Sequence, residues 1–239
     1  VVYFDREQLG DGRAVRVSAD APNAVAHVSC GQVARSEWAV IVSNGTELPD
    51  GEVGEIWLQG NNIGRGYWGM PDATRLAFGA RLQSRLVDGS HAGGADPERS
   101  WLRTGDLGVY LDGELYVTGR IADLVTINGR NHYPQDIESI VAEASPMVRR
   151  GYVTAFSVPA EGHPGADRLV VVAERAAGTS REDPQPAIEA IREAVSQRHG
   201  LRVSDVRLLP AGAIPRTTSG KLARRACRAE YLDGSLGAH

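Results

Sequence analysis

The spacing of apolar residues changes near position 120, and this change limits the folds that the chain can adopt. Before it, short apolar runs such as 24–28 and 38–42 are separated by turn residues, a pattern typical of β-strands. After it, strand-like runs alternate with amphipathic segments at helical spacing. The pattern predicts an α+β fold in which a β-rich subdomain at 1–120 precedes a small α+β domain at 121–239.

Local signals support this division. The dipeptides Asn44–Gly45, Asp112–Gly113 and Asn128–Gly129 predict tight turns, and Asp112–Gly113 lies between two apolar runs as in a hairpin. Proline or an amphipathic repeat marks the predicted helices. These helices are expected at 71–87, 134–143, 186–198 and 219–231.

Composition excludes several classes of protein. The net charge of −4 and a pI near 5.9 argue against a nucleic-acid partner. No apolar run approaches the ~18 residues that a membrane span needs, and no secretory signal is present, so a cytoplasmic location is expected. Cys30 and Cys227 are far apart, which favours two reduced thiols. Neither Cys nor His has the spacing of a metal site.

A polar loop near the end of the sequence, Pro215–Lys221, carries one lysine at its tip. It is not a Walker A loop, because Pro215 replaces the first glycine and Leu222 stands where Ser or Thr would bind magnesium. A solvated surface lysine is the common alternative for Lys221. The loop becomes informative because three motifs precede it in order, namely GEIWLQG at 54–60, RTGDLG at 103–108 and GRIADL at 119–124.

Asp106 in the second motif is a candidate nucleotide-binding residue. A carboxylate beside a glycine can accept hydrogen bonds from two vicinal hydroxyl groups, the arrangement that a ribose offers. The alternative is a turn in which Asp106 caps local backbone N–H groups.

The segment GRNHYPQDIE at 129–138 discriminates most strongly between protein families. With the motifs above, the chain resembles the C-terminal part of adenylate-forming enzymes, the superfamily of acyl-CoA synthetases, peptide-synthetase adenylation domains and luciferases. This segment is similar to that of the fatty acyl-AMP ligases, which hand acyl groups to carrier-protein domains of polyketide synthases. The high content of Ala, Arg and Gly resembles actinobacterial and mycobacterial members.

The resemblance implies roles for five residues. Lys221 would be the catalytic cation at the α-phosphate of ATP, Asp106 would hold the ribose, and Arg120 would reach the ribose and phosphate side of the nucleotide. An exposed salt bridge is the alternative for Arg120. Ala122 and Asp123 occupy the hinge about which the C-terminal domain turns. Relatives usually carry Asp or Lys at the first of these positions, and this chain has Ala122.

The resemblance also implies a reaction. The parent enzyme would use ATP and Mg²⁺ to convert a long-chain fatty acid to an acyl-adenylate, and would pass the acyl group to an acyl carrier protein. The magnesium ligand, the phosphate-binding loop and the fatty-acid tunnel are expected upstream of Val1. The β-rich subdomain is expected to be a distorted barrel. This chain alone, which opens on Val1 rather than Met, is expected to be inactive.

Two other functions compete with this one. An acyl-CoA ligase would use free CoA in the second step, which segment 129–138 argues against. A non-catalytic module that docks a carrier protein could use the basic residues Arg224, Arg225 and Arg228, although simple solvation of a helix is the commoner explanation for them.

Overall fold

The computed structural model describes residues 1–160 and 167–237. The chain forms two compact units, Val1–Ala122 and Asp123–His239, each with its own sheet and core. In the described ranges, no helix has both the length and the apolar character that crossing a bilayer requires.

The first unit is mostly β-structure. Its elements are β1 (Val2–Asp5), α1 (Arg6–Gly10), β2 (Ala24–His27), β3 (Glu37–Ser43), β4 (Thr46–Glu47), β5 (Gly54–Gly60), α2 (Pro71–Phe78), β6 (Leu102–Leu111) and β7 (Glu114–Arg120). A five-stranded antiparallel sheet has the order β4-β3-β5-β6-β7, and β1 pairs separately with β2.

The second unit alternates strands with helices. After a 3₁₀ turn at Ile121–Asp123 come β8 (Val125–Ile127), β9 (Arg130–His132), α3 (Pro134–Ala144), β10 (Val148–Pro159), β11 (Asp167–Arg175), α4 (Gln185–His199), β12 (Val203–Leu209) and α5 (Arg224–Asp233). The main sheet has the order β10-β11-β12, with β11 antiparallel to β10 and parallel to β12. The α+β class predicted from the sequence is confirmed.

Three hairpins close with the predicted dipeptides. Asn44–Gly45, Asp112–Gly113 and Asn128–Gly129 each form a two-residue connection in which both residues have positive φ. This is the type I′ geometry, whose twist matches that of the flanking strands and which favours Asn-Gly and Asp-Gly. Local sequence therefore sets the register of β3–β4, of β8–β9 and of the part of β6–β7 next to the turn. The register of β6–β7 shifts by one residue between Leu107 and Gly108.

The central strand β11 of the second unit is buried on both faces. Val171 and Ala173 pack with α3 and α4, while Val170 and Val172 pack towards Cys227 of α5. Alternate residues of a strand point to opposite faces, so a continuous apolar run requires cover on both sides. The helices supply that cover.

Two predicted helices are shorter in the structure. Helix α2 ends at Phe78 rather than 87, because the following chain is extended and Ala80 pairs with Trp101. Helix α5 begins at Arg224 rather than Ser219, because Arg216 pairs with Leu222 and draws the intervening residues into a hairpin. Helical propensity is a weak prior. The distant pairing of Ala80 with Trp101 overrides it after Phe78, and a local hairpin overrides it before Arg224.

Candidate functional site

Asp106 lies in a wide bulge of β6. Glu55 pairs with Leu107 and Trp57 pairs with Arg103, so three residues of β6 face one residue of β5. The extra residues leave the regular ladder, which is how bulges commonly present functional side chains. The structure thus places Asp106 within a bulged strand.

Two glycines explain the spacing of the RTGDLG motif. Gly105 adopts φ of +71°, a left-handed conformation that glycine tolerates best. At Gly108, an added Cβ atom would lie 2.7 Å from the Ile56 side chain and 2.8 Å from the Tyr116 carbonyl oxygen. The first glycine therefore shapes the bulge, and the second allows the strands on either side to approach.

The buried carboxylate of Glu55 holds this bulge. It accepts hydrogen bonds from the Gly105 N–H at 3.1 Å and from Trp57 Nε1 at 2.9 Å. It also pairs with Arg103, with Nη2 2.9 Å from Oε2. A buried carboxylate needs such donors because an unpaired one is costly. Glu55 is not singled out within the GEIWLQG motif in the sequence analysis, although an acidic residue inside an apolar strand is a usable signal.

The Asp106 carboxylate is not a cap for its own turn. The Asp106 N–H instead donates to the Thr104 hydroxyl at 3.0 Å, and that hydroxyl donates to the Ile56 carbonyl at 2.8 Å. The carboxylate accepts a hydrogen bond from Arg120 Nε at 2.8 Å. Asp106 and Arg120 are directly paired across β6 and β7. Both candidate nucleotide-binding residues therefore lie together at one point of the sheet.

Lys221 lies on a narrow hairpin. The Thr217 N–H donates to the Lys221 carbonyl and the Gly220 N–H to the Thr217 carbonyl, each at 2.8 Å. Gly220 has φ of +81°. This combination is a three-residue β-hairpin loop with a glycine bulge. The Lys221 side chain is exposed beside this turn.

The base of the hairpin is also closed. The Ala223 N–H donates to the Pro215 carbonyl at 2.9 Å, and Arg216 pairs with Leu222. Below Pro215, the Ile214 N–H donates to the fully buried Glu174 at 3.2 Å. Neither Glu174 nor the Tyr152 ring that contacts Arg216 was found from the sequence, because neither lies near Lys221 along the chain.

The predicted hinge residues differ in their contacts. Ala122 is exposed, whereas the Asp123 carboxylate pairs with Arg224 at 3.4 Å. Arg224 also forms two hydrogen bonds with the carboxylate of Glu138 in α3. Asp123 is thereby tied to the interior of the second unit. The division between the two units falls between Ala122 and Asp123.

Most of the basic residues considered for docking a carrier protein make contacts within the second unit. Arg224 is engaged by the two carboxylates described above, and its side chain is only 25% exposed. Arg228 donates through Nε to the Ser157 carbonyl at 2.8 Å. Arg225 is exposed. Two of the three arginines thus have structural partners, which weakens the carrier-docking alternative based on them.

Residues that could hold a metal ion are not clustered in the described ranges, where no group of three or more His, Cys, Asp or Glu side chains has suitable geometry. Of the two thiols, Cys30 is exposed and Cys227 is buried. Burial raises the pKa of the Cys227 thiol to about 11.

The chain is similar to several known proteins. A family model described as the AMP domain of Disco-interacting protein 2-like proteins matches residues 122–239. The long-chain-fatty-acid–AMP ligase FadD32 of Mycolicibacterium smegmatis is 52% identical over 257 residues. A solved structure from work on fatty acyl-adenylate ligases of E. coli and L. pneumophila matches 98% of this chain with a TM-score of 0.77 and 31% identity.

Over its whole length the chain is similar to part of the fatty acyl-AMP ligases. The resemblance inferred from the sequence, including the mycobacterial character of the relatives, is confirmed. The alignment with FadD32 covers all of this chain and 41% of that relative, and the structural match covers 38% of the solved chain. Another relative, FadD21 of Mycobacterium tuberculosis, is 40% identical over 238 residues and bears the name putative fatty-acid–CoA ligase. That alignment covers 97% of this chain and 38% of FadD21.

Proposed function

We propose that the natural protein containing this chain converts a long-chain fatty acid and ATP to an acyl-adenylate and pyrophosphate. A carboxylate oxygen attacks the α-phosphorus, and the bond from that phosphorus to the bridging oxygen of pyrophosphate breaks. The observation that carries the proposal is the presence of Asp106, Arg120 and Lys221 in their motifs within a chain 52% identical to a fatty acid–AMP ligase.

Lys221 is proposed to be the catalytic cation of this step. Both reactants are anionic, so a cation at the crowded α-phosphate stabilises the charge of the transition state. An exposed lysine on a short hairpin can be delivered to the nucleotide and withdrawn again, as domain closure requires. The hairpin itself keeps the Lys221 backbone in one conformation.

Asp106 and Arg120 are proposed to bind the nucleotide. The Asp106 carboxylate has a further oxygen available to accept a ribose hydroxyl while Arg120 Nε holds Oδ1. Arg120 adds positive charge on the phosphate side of the nucleotide. Magnesium would accompany ATP, and we place its ligand upstream of this chain rather than among the residues described.

The hinge is proposed to act at Ala122. Because Asp123 is tied to Arg224, its side chain moves with the second unit, and the backbone before it is left to absorb a rotation. Rotation would follow adenylation. The acyl group would then pass to a thiol, whose sulfur attacks the acyl carbon while AMP leaves.

The acceptor is proposed to be the phosphopantetheine thiol of an acyl carrier protein of a polyketide synthase. Segment 129–138 supports this choice. The second candidate is an acyl-CoA ligase, which the name of FadD21 favours. The two differ only in the thiol that receives the acyl group.

Product analysis distinguishes these candidates. The natural full-length protein is incubated with ATP, magnesium and fatty acids of several lengths, with and without CoA, and products are identified by mass spectrometry. Acyl-AMP that persists with CoA supports the proposal, whereas conversion to acyl-CoA replaces it by the second candidate. Absence of both products would reject the enzymatic role. The 239-residue chain alone is expected to form no acyl-AMP, and robust turnover by it would contradict that expectation.

A further inference from the structure

A stack of three side chains lies beside the Lys221 hairpin. The guanidinium carbons of Arg149 and Arg216 are 3.4 Å and 4.1 Å from the ring centroid of Tyr152. Two guanidinium groups this close to one centroid would overlap on a single face of the ring. They therefore lie on opposite faces, and Tyr152 is held between two cations. Stacking of this kind is favourable because the faces of an aromatic ring are electron-rich.

Both arginines of the stack are fixed at their outer ends. Arg216 Nη1 donates to the Gly220 carbonyl at 2.7 Å, directly before Lys221. Arg149 Nη1 donates to Glu174 at 2.7 Å, and the Glu174 side chain is completely buried. The stack therefore joins the tip of the hairpin to a carboxylate in the core.

Glu174 supports the hairpin by a second route. One carboxylate oxygen binds Arg149, and the other accepts the Ile214 N–H at the point where the chain leaves the core for the hairpin. Ile214 is itself buried. A carboxylate so deeply buried requires charged or hydrogen-bonded partners. Both partners of Glu174, Arg149 and the Ile214 N–H, lead to the Lys221 hairpin.

The backbone is irregular where the stack begins. The pairing of β10 with β11 shifts register between Val148 and Val153, and Gly151 adopts φ of +76°. Bulges redirect the side chains around them. Arg149 and Tyr152 both lie in this irregular stretch, so the distortion presents them together.

We propose that Tyr152, clamped by Arg149 and Arg216, is a positioning residue for Lys221. This inference rests on the catalytic role proposed for Lys221. A two-stranded hairpin is marginally stable by itself, so its direction depends on external contacts. Displacement of a catalytic group by about 1 Å can cost up to about 100-fold in rate.

The test compares Tyr152→Leu with Tyr152→Phe in the natural full-length protein. Tyr152→Leu removes the aromatic face, and we expect kcat for pyrophosphate release to fall by about 10- to 100-fold with little change in KM for the fatty acid. Tyr152→Phe keeps the ring and should restore kcat to within about threefold of the natural value. Equal losses in the two variants would overturn the positioning role.

A second variant guards against misfolding of Tyr152→Leu. Arg216 is exposed, so Arg216→Ala should leave the thermal unfolding midpoint nearly unchanged while it removes one side of the clamp. We expect the same loss of kcat as for Tyr152→Leu. Normal kcat in a folded Arg216→Ala variant would contradict the inference.

A double-mutant cycle separates positioning from general damage. If Tyr152 acts through Lys221, then Tyr152→Leu should cause less than about twofold further loss in the Lys221→Ala background. A full, additive loss would show that Tyr152 acts independently of Lys221. Acyl transfer from supplied acyl-adenylate should be unaffected by Tyr152→Leu, since Lys221 has no proposed role in that step.

Hydrogen exchange makes failure of this inference distinguishable from failure of the proposed function. Tyr152→Leu should accelerate exchange of the Thr217 and Gly220 amides, and Tyr152→Phe should not. Unchanged exchange would show that the clamp does not hold the hairpin, whatever Lys221 does. Faster exchange together with normal adenylation by Lys221→Ala would instead reject the catalytic role of Lys221 and, with it, positioning through that residue.

Discussion

Asp106 and Lys221 are presented by two different kinds of structure. Asp106 belongs to a strand of a five-stranded sheet, and its bulge is held by backbone pairing with β5 and β7 and by the Glu55 side chain of the neighbouring strand β5. Lys221 lies on a hairpin outside the main sheet of its unit, and side chains from β10 and β11 hold that hairpin. Asp106 therefore depends mainly on backbone pairing for its position, whereas the Lys221 hairpin depends on side-chain contacts with distant strands.

Replacement of Lys221 should have the largest effect on catalysis. We expect Lys221→Ala to lower the rate of acyl-adenylate formation about 10²- to 10³-fold, because the transition state loses a cation, without change in folding stability. Pyrophosphate release measures the rate. Arg225→Ala, another exposed cation of the same unit, is the control and should retain activity. Near-normal turnover by Lys221→Ala would show that Lys221 is not the catalytic cation.

Replacement of Asp106 should act mainly on nucleotide binding. Asp106→Asn removes the charge that pairs with Arg120 and weakens acceptance of ribose hydroxyls, so KM for ATP should rise about 10- to 100-fold. Steady-state kinetics at varied ATP gives this value. Asp112→Asn is a matched control, because Asp112 is an exposed carboxylate at the tip of the same hairpin. A fall in kcat with unchanged KM would mean that Asp106 serves the chemical step instead.

Glu55 should affect stability of the bulge more than chemistry. Glu55→Gln loses the ion pair with Arg103 but keeps one oxygen as acceptor, so opening of the β5–β6 ladder should become easier by about 1 to 2 kcal/mol. Amide hydrogen exchange in β5 and β6 measures this change. Glu7→Gln, at an exposed glutamate of α1, should leave those amides unaffected. Equal protection in both variants would show that backbone pairing alone holds the bulge.

Gly220 tests how far the hairpin depends on its own backbone. Gly220→Ala places a Cβ atom at φ of +81°, which should cost about 1 kcal/mol and lower adenylation less than tenfold. Gly212→Ala applies similar strain at φ of +88° in the preceding loop and is the matched control. Equal activity of the two variants would indicate that the side-chain anchors outweigh the turn geometry.

Thiol labelling should give the smallest and most local signal. Burial and a pKa raised to about 11 keep the Cys227 thiol protonated at pH 8, so it should react far more slowly than exposed Cys30. The rate should increase as pH rises towards 11, because more thiolate forms. Mass spectrometry after timed labelling distinguishes the two sites. Labelling of both at one rate would show that α5, which directly follows the Lys221 hairpin, opens readily.

Several features follow from local sequence and were predicted correctly. The three turn dipeptides formed hairpins because positive φ at both positions selects Asn, Asp and Gly. The helix beginning at Pro134 formed as expected, since proline suits the first turn. The predicted extension of α5 to Ser219 was wrong, because residues 216–222 form a local hairpin whose glycine bulge at Gly220 stops the helix from starting earlier.

The sequence by itself determined the resemblance to fatty acyl-AMP ligases and the candidate residues Asp106, Arg120 and Lys221, because contiguous motifs carry them. It also determined the α+β class, which follows from the spacing of apolar residues. The tertiary structure alone decided which side chains hold them. Glu174 is 47 residues from Lys221 along the chain, and it supports the hairpin only because β11 lies beside β10 and beneath Ile214. Contacts between distant segments are selected by packing and charge burial in the folded state, and a local pattern contains no information about them.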